Sequence, residues 1–141
     1  MLTEKDKVEQ FKRELKSYEF YKKKVQECNE QLEEIAVKLQ GVSSPAIKDV
    51  VYENAGNPYR KDSRILELMN DEDRLIDERQ SYIDRILKID EKMLLIPESI
   101  EKQASIRIYM NKEAHQKVAD DVGMDRKTLY RRINSMLSKI C

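Results

Sequence analysis

The chain has 141 residues, of which 38% are charged and 6% aromatic, with three glycines, three prolines and no tryptophan. This composition is too polar for a thick globular core, and its regularly spaced Leu, Ile, Lys and Glu are typical of long helices rather than disorder. The formal net charge is zero, but residues 104–141 hold eight basic and four acidic residues. A neutral total therefore does not exclude a polyanionic partner for the C-terminal region.

Several functional classes are excluded by what the sequence lacks. Cys28 and Cys141 are too few and too distant to indicate a disulfide framework or a zinc site, so we expect a reducing, cytoplasmic compartment. Residues 3–7 do not read as a signal peptide, and no window approaches the roughly 18 apolar residues of a membrane span. No phosphate-binding glycine loop, catalytic triad or metal cluster is apparent. We expect a binding protein rather than an enzyme, with no catalytic residues, cofactor, metal or membrane association.

An apolar residue recurs every three or four positions from about Thr3 to Gln40. The members of this seam are Val8, Phe11, Leu15, Tyr18, Tyr21, Val25, Cys28, Leu32, Ile35 and Leu39. The steps follow a heptad pattern with one three-residue slip after Tyr18. A helix of this length cannot bury its stripe alone, so the seam predicts a partner helix.

A break is predicted over residues 41–62, which contain two glycines and two prolines. The run Ile47–Tyr52 within it could form a short helix or an extended piece, and the sequence does not decide between them.

A second long helix is predicted from about Ser63 to Leu95. Its heptad positions are Ile65, Leu68, Leu75, Tyr82, Ile86, Ile89, Met93 and Ile96. Two helices of similar length joined by a break predict an antiparallel, coiled-coil-like hairpin over residues 1–96. Further apolar positions widen the stripe beyond what one partner covers, namely Ile76, Ile83, Leu87 and Leu94. These predict a homodimer through the N-terminal helices, and the hairpin could pack within one chain or be exchanged between two.

Residues 97–141 predict a small helix-turn-helix domain. A first helix is expected from about Pro97 to Met110, because proline is favoured in the first turn. Ala119 supplies the small residue where two helices cross, Gly123 permits the positive φ of the turn, and Leu129 follows as an apolar contact.

The last helix of this motif is expected to begin after Asp125, a good N-cap residue. Five cations and no acid lie between Arg126 and Lys139. With Leu129 on the buried side, the remaining sides predict these DNA-binding residues: Arg126, Lys127, Thr128, Tyr130, Arg131, Arg132 and Asn134. Amide, hydroxyl and cationic groups suit base edges in a major groove, and flanking cations suit phosphates. The plainer alternative is a solvated basic face that complements the helix dipole. His115 is expected to be a surface or capping residue.

The stretch Val118–Ile140, together with the break at Ser43–Pro45, resembles phage-encoded regulators of late transcription of the ArpU and RinA type. Those proteins join a helical N-terminal part to a C-terminal domain like region 4 of sigma factors. The resemblance implies a phage or prophage late-gene activator acting on double-stranded DNA in the bacterial cytoplasm, with RNA polymerase as a possible further partner. Arg132 departs from the pattern, because such domains often have an apolar residue there.

Three functions therefore compete. The first is a dimeric, sequence-specific transcription regulator. The second is a phage small terminase subunit, which also joins a helix-turn-helix to helical oligomerisation segments but assembles rings for DNA packaging. The third is a helical scaffold or adaptor whose basic end binds a protein.

Overall fold

The computed structural model describes residues 2–43 and 58–141 of the chain. This part is all-helical, as the sequence predicts. Its elements are α1 (Glu4–Ser43), α2 (Pro58–Leu94), α3 (Ile100–Ser105), a π-helical turn (Ile106–Met110) that continues α3, α4 (His115–Val122) and α5 (Arg126–Ser138). None of the helices described is both long enough and apolar enough to cross a membrane.

Both long helices extend further than the sequence suggests. Helix α1 continues to Ser43, and α2 begins at Pro58 rather than Ser63. Proline is tolerated as the first helical residue because its missing N–H would have no partner there. The predicted break at residues 41–62 is therefore shorter at both ends, and the remainder, including the run Ile47–Tyr52, lies outside the described residues.

The chain divides into two compact units. Unit 1 comprises Met1–Lys22 and Asp84–Cys141, and unit 2 comprises Lys23–Ile83. Each unit contains one segment of α1 and one of α2. The domain boundary suggested near residue 97 stays a prediction.

Unit 2 is built around a small apolar cluster. Its buried members are Cys28, Ile35, Leu68 and Leu75, with Leu32 and Leu39 partly buried against them. Beside this cluster, the Arg79 guanidinium donates a hydrogen bond to Asn29 Oδ1 at 2.9 Å. These apolar residues are all heptad positions of the two seams, so the predicted packing of one stripe against the other is confirmed here.

In unit 1, the start of α1 runs antiparallel to the end of α2. The Lys92 ammonium lies 5.1 Å from the centre of the Phe11 ring. About two turns further along α1, the Tyr18 hydroxyl donates to Asp90 Oδ1 at 2.9 Å. Burial, together with this hydrogen bond, raises the pKa of Tyr18 to about 12, so the hydroxyl stays protonated and remains a donor.

Helix α3 begins later than predicted. Its first residue is Ile100, and Ser99 is the N-cap, whose hydroxyl oxygen accepts from the Lys102 N–H at 3.2 Å. The serine hydroxyl at this position satisfies an N-terminal amide, so the helix begins after Ser99 rather than at Pro97. The helix then widens into the π-helical turn, where the Asn111 N–H donates to the Ile106 carbonyl at 2.9 Å.

The turn between α4 and α5 is a complete Schellman motif. The Met124 N–H donates to the Ala119 carbonyl at 3.0 Å, and the Gly123 N–H to the Asp120 carbonyl at 3.2 Å. Gly123 has φ 71° and ψ 30°, in the left-handed region. Ala119 is fully buried. The small residue and the glycine therefore occupy the roles that the sequence predicts for them.

We expect Gly123→Ala to lower the free energy of unfolding by about 1–2 kcal/mol, because an L side chain disfavours the left-handed conformation. A Cβ at this position would meet no heavy atom within 4 Å, so the cost is conformational rather than steric. Denaturant unfolding followed by circular dichroism measures the change. Gly41→Ala is the matched control, because Gly41 is helical and alanine is favoured there. Equal effects of the two substitutions would contradict this account of the turn.

Candidate nucleic-acid interface

Helix α5 is held by one apolar stripe. Leu129, Ile133 and Leu137 recur every four residues, so they lie on one side of the helix, and all three are buried. Val118 and Ala119 of α4 are also fully buried, and α5 packs against both α3 and α4. This stripe fixes the rotation of α5 about its axis and thereby decides which residues face outward.

Three of the predicted DNA-binding residues are exposed without an ion pair, two of them, Lys127 and Arg131, on the outward side of α5. Arg126, Lys127 and Arg131 are exposed, and within residues 2–43 and 58–141 none of them contacts a carboxylate at salt-bridge distance. Thr128 is half-buried beside them. The outward side of α5 therefore carries uncompensated positive charge.

The N-terminus of α5 is open to an anion. Asp125 has the extended conformation of an N-cap, with φ −65° and ψ 144°, but its side chain makes no capping hydrogen bond. The first amides of a helix have no intrahelical acceptor and favour negative charge. Arg126 therefore begins the helix at a place suited to a phosphate.

The other three predicted residues have surroundings that restrict them. Arg132 Nη1 lies 3.6 Å from Glu101 Oε1 of α3. Tyr130 lies beneath the Lys12 ammonium, which is 4.3 Å from the ring centre. Asn134 is half-buried, and its Oδ1 is buried without a hydrogen-bond partner among the described residues. The freely presented part of the predicted surface is therefore narrower and centres on Lys127 and Arg131.

Sequence reasoning missed Lys12 of α1. This lysine is only 3% exposed, and its ammonium lies between the rings of Tyr130 and Tyr109, 5.6 Å from the centre of the latter. Glu9 Oε1 accepts a hydrogen bond from it at 3.3 Å. Burial by itself lowers the pKa of Lys12, but interactions with Tyr109, Glu9 and Tyr130 outweigh it and raise the pKa overall. Lys12 therefore stays charged, as a cation over two aromatic faces requires.

His115 is the first residue of α4 and is half-buried against Tyr109. Their ring centres lie 6.2 Å apart at an interplanar angle of 87°, an edge-to-face contact. Burial lowers the pKa of His115, and the positive charges of Arg126, Lys16 and Lys12 lower it further. The imidazole at the start of α4 therefore lies near cations of both α1 and α5.

Metal chemistry has no donor set in the part of the chain that is described. No group of three or more His, Cys, Asp or Glu side chains there could hold an ion. What the site offers chemically is an exposed set of ammonium, guanidinium and hydroxyl groups, which is suited to binding an anionic polymer.

We expect wild-type stability to fall as the pH drops below about 6.5, the value for an unperturbed histidine. The depressed pKa of His115 means that the unfolded chain takes up a proton there before the folded chain does, which favours unfolding. His115→Gln should reduce this loss, measured as the change in melting temperature between about pH 7.5 and 5.5. His115 is the only histidine in the sequence, so no other imidazole contributes. An undiminished loss in the variant would contradict the assignment.

No protein family model, curated protein or solved structure matches the chain. The resemblance to phage late-transcription regulators therefore stays a prediction based on the residues of the motif.

Proposed function

We propose that this protein is a sequence-specific regulator of transcription that binds double-stranded DNA with α5 in the major groove. The observation that carries the proposal is the outward side of α5, where Lys127 and Arg131 are exposed and form no ion pair with the described residues, on a helix whose rotation is fixed by a buried stripe. The major groove is about 12 Å wide and admits an α-helix.

The residues of α5 divide between two kinds of contact. Arg131 is suited to bidentate hydrogen bonds with O6 and N7 of a guanine, and Lys127 to the same acceptors as a point charge. Arg126, at the open N-terminus, is suited to a phosphate that fixes the register of the helix on the duplex. Arg132 forms an ion pair with Glu101, so we assign it a smaller part in binding.

Exposed apolar residues of unit 2 support the proposal that the chain self-associates. Along α2 it exposes Leu66, Met69 and Ile76, whose side chains are 60%, 48% and 39% accessible. Their spacing of three and seven residues places them on one side of the helix, away from the buried Leu68 and Leu75. We propose that this side packs against a second copy of the chain, which would present two copies of α5 to two half-sites.

Late-gene activation, a phage origin and contact with RNA polymerase are part of the proposal only through the resemblance of residues 118–140. The contacts of the described residues bear on DNA binding and on self-association. They favour neither activation nor repression.

Arg131→Ala should cost about 1–3 kcal/mol on the preferred sequence and relax the preference at the base pair it contacts. The preferred sequence is first selected from random duplexes with the wild-type protein, and affinities are then measured by fluorescence anisotropy. Arg64→Ala, at an exposed arginine of unit 2, is the matched control and should behave as wild type. A wild-type protein that does not bind duplex DNA even in dilute buffer would overturn the proposed function. Unchanged discrimination by Arg131→Ala would remove only Arg131 from the reading face.

Ile76→Asp should abolish self-association, because a carboxylate replaces an apolar side chain at the proposed contact. Sedimentation equilibrium measures the mass, and circular dichroism checks that the helices are retained. Leu32 is unsuited to this test because it packs against the core of unit 2 within the chain. Val37→Asp, at an exposed apolar residue of α1, is the control and should leave the mass unchanged.

A wild-type dimer supports the regulator, whereas a ring of many copies would favour the small terminase subunit. A dimer that persists in Ile76→Asp would contradict the contact.

A further inference from the structure

The first turns of α1 are fixed to the helix-turn-helix. Val8 and Lys12, one turn apart on α1, are both buried. Lys12 holds this position through the faces of Tyr109, from the π-helical turn, and Tyr130, from α5. Because Tyr130 flanks the reading side of α5, α1 lies alongside the proposed DNA-binding surface rather than behind it.

Lys16 lies one turn beyond Lys12 on the same side of α1. Its ammonium is 5.8 Å from the centre of the Tyr109 ring, and unlike Lys12 it is exposed to solvent. Tyr109 in turn contacts His115, whose pKa is lowered by burial and then by the charges of Arg126 and Lys16. Side chains from three separate helices thus meet where α4 and α5 begin.

Two carboxylates of this region are already engaged, since Glu9 accepts from Lys12 and Glu113 pairs with Arg107. The exposed Asp125 precedes Arg126 at the start of α5. Across the described ranges, Lys16 forms no ion pair, in common with Arg126. Exposed like charges near one another create a positive potential that an anion relieves.

We propose that the DNA-binding surface extends from α5 onto α1, with Lys16 contacting a backbone phosphate next to the one bound at Arg126. Lys12 is a positioning residue, since it holds α1 against Tyr109 and Tyr130 without reaching solvent itself. This inference rests on the proposed function. It adds to that function a contact from the opposite end of the sequence, so that the long N-terminal helix takes part in DNA binding directly.

The test measures the salt dependence of DNA affinity for the full-length protein. A phosphate contact releases counterions, so Lys16→Ala should reduce the slope of log affinity against log salt by about 0.9. Affinity at low salt should fall several-fold, and by the same factor on the preferred and on unrelated duplexes. Lys16→Arg, which keeps the charge, should restore both the slope and the affinity. Lys38→Ala, at an exposed lysine near the other end of α1, should match wild type.

The outcomes separate this inference from the function on which it rests. If the wild-type protein binds no duplex, both are overturned. If the wild-type protein binds and Lys16→Ala keeps its affinity and slope, α1 lies outside the interface and only this inference fails. A loss confined to the preferred sequence would also overturn it, because a phosphate contact carries no base information. Lys16→Ala should leave the melting temperature unchanged, because Lys16 is exposed, and that measurement shows whether a folding defect causes the loss of affinity.

Discussion

The buried stripe of α5 is the constraint on which the rest of the proposed site depends. Leu129, Ile133 and Leu137 are almost fully removed from solvent, so α5 cannot rotate about its axis without exposing them. The Schellman turn at Gly123 fixes where α5 leaves α4. With rotation and direction both set, the outward position of Arg131 follows from helical geometry alone.

The basic residues of the C-terminal region fall into two groups in unit 1, those held in ion pairs and those exposed on α5. Arg107 binds Glu113 through two hydrogen bonds and Asp121 through a third, which ties the π-helical turn to α4. Lys102 donates to the Ile96 carbonyl and pairs with Glu98, which ties α3 to the segment that connects it to α2. These cations stabilise the domain through ion pairs, whereas Lys127 and Arg131, on the outward side of α5, form none with the described residues. The local charge balance alone does not make this distinction.

The start of α1 connects the helical hairpin to the helix-turn-helix within unit 1. Lys12 contacts two aromatic rings of the C-terminal domain, while Tyr18, nearly two turns later, binds Asp90 of α2. One helix therefore contacts both α2 and α5.

The sequence by itself determined the helical class, the buried seams of α1 and α2, and the turn at Gly123. These features depend on local periodicity and on the conformational preference of one glycine, both of which can be recognised from residues close together in the sequence. Only the tertiary structure decided that the Lys12 ammonium would lie over the Tyr130 ring, that Arg132 would pair with Glu101, and that α3 would end in a π-helical turn. The first two join residues about 118 and 31 positions apart, and the third depends on how a helix end packs. Hydrophobic spacing reports which side of a helix is buried, but it does not report which polar side chain of a distant segment will be buried with it.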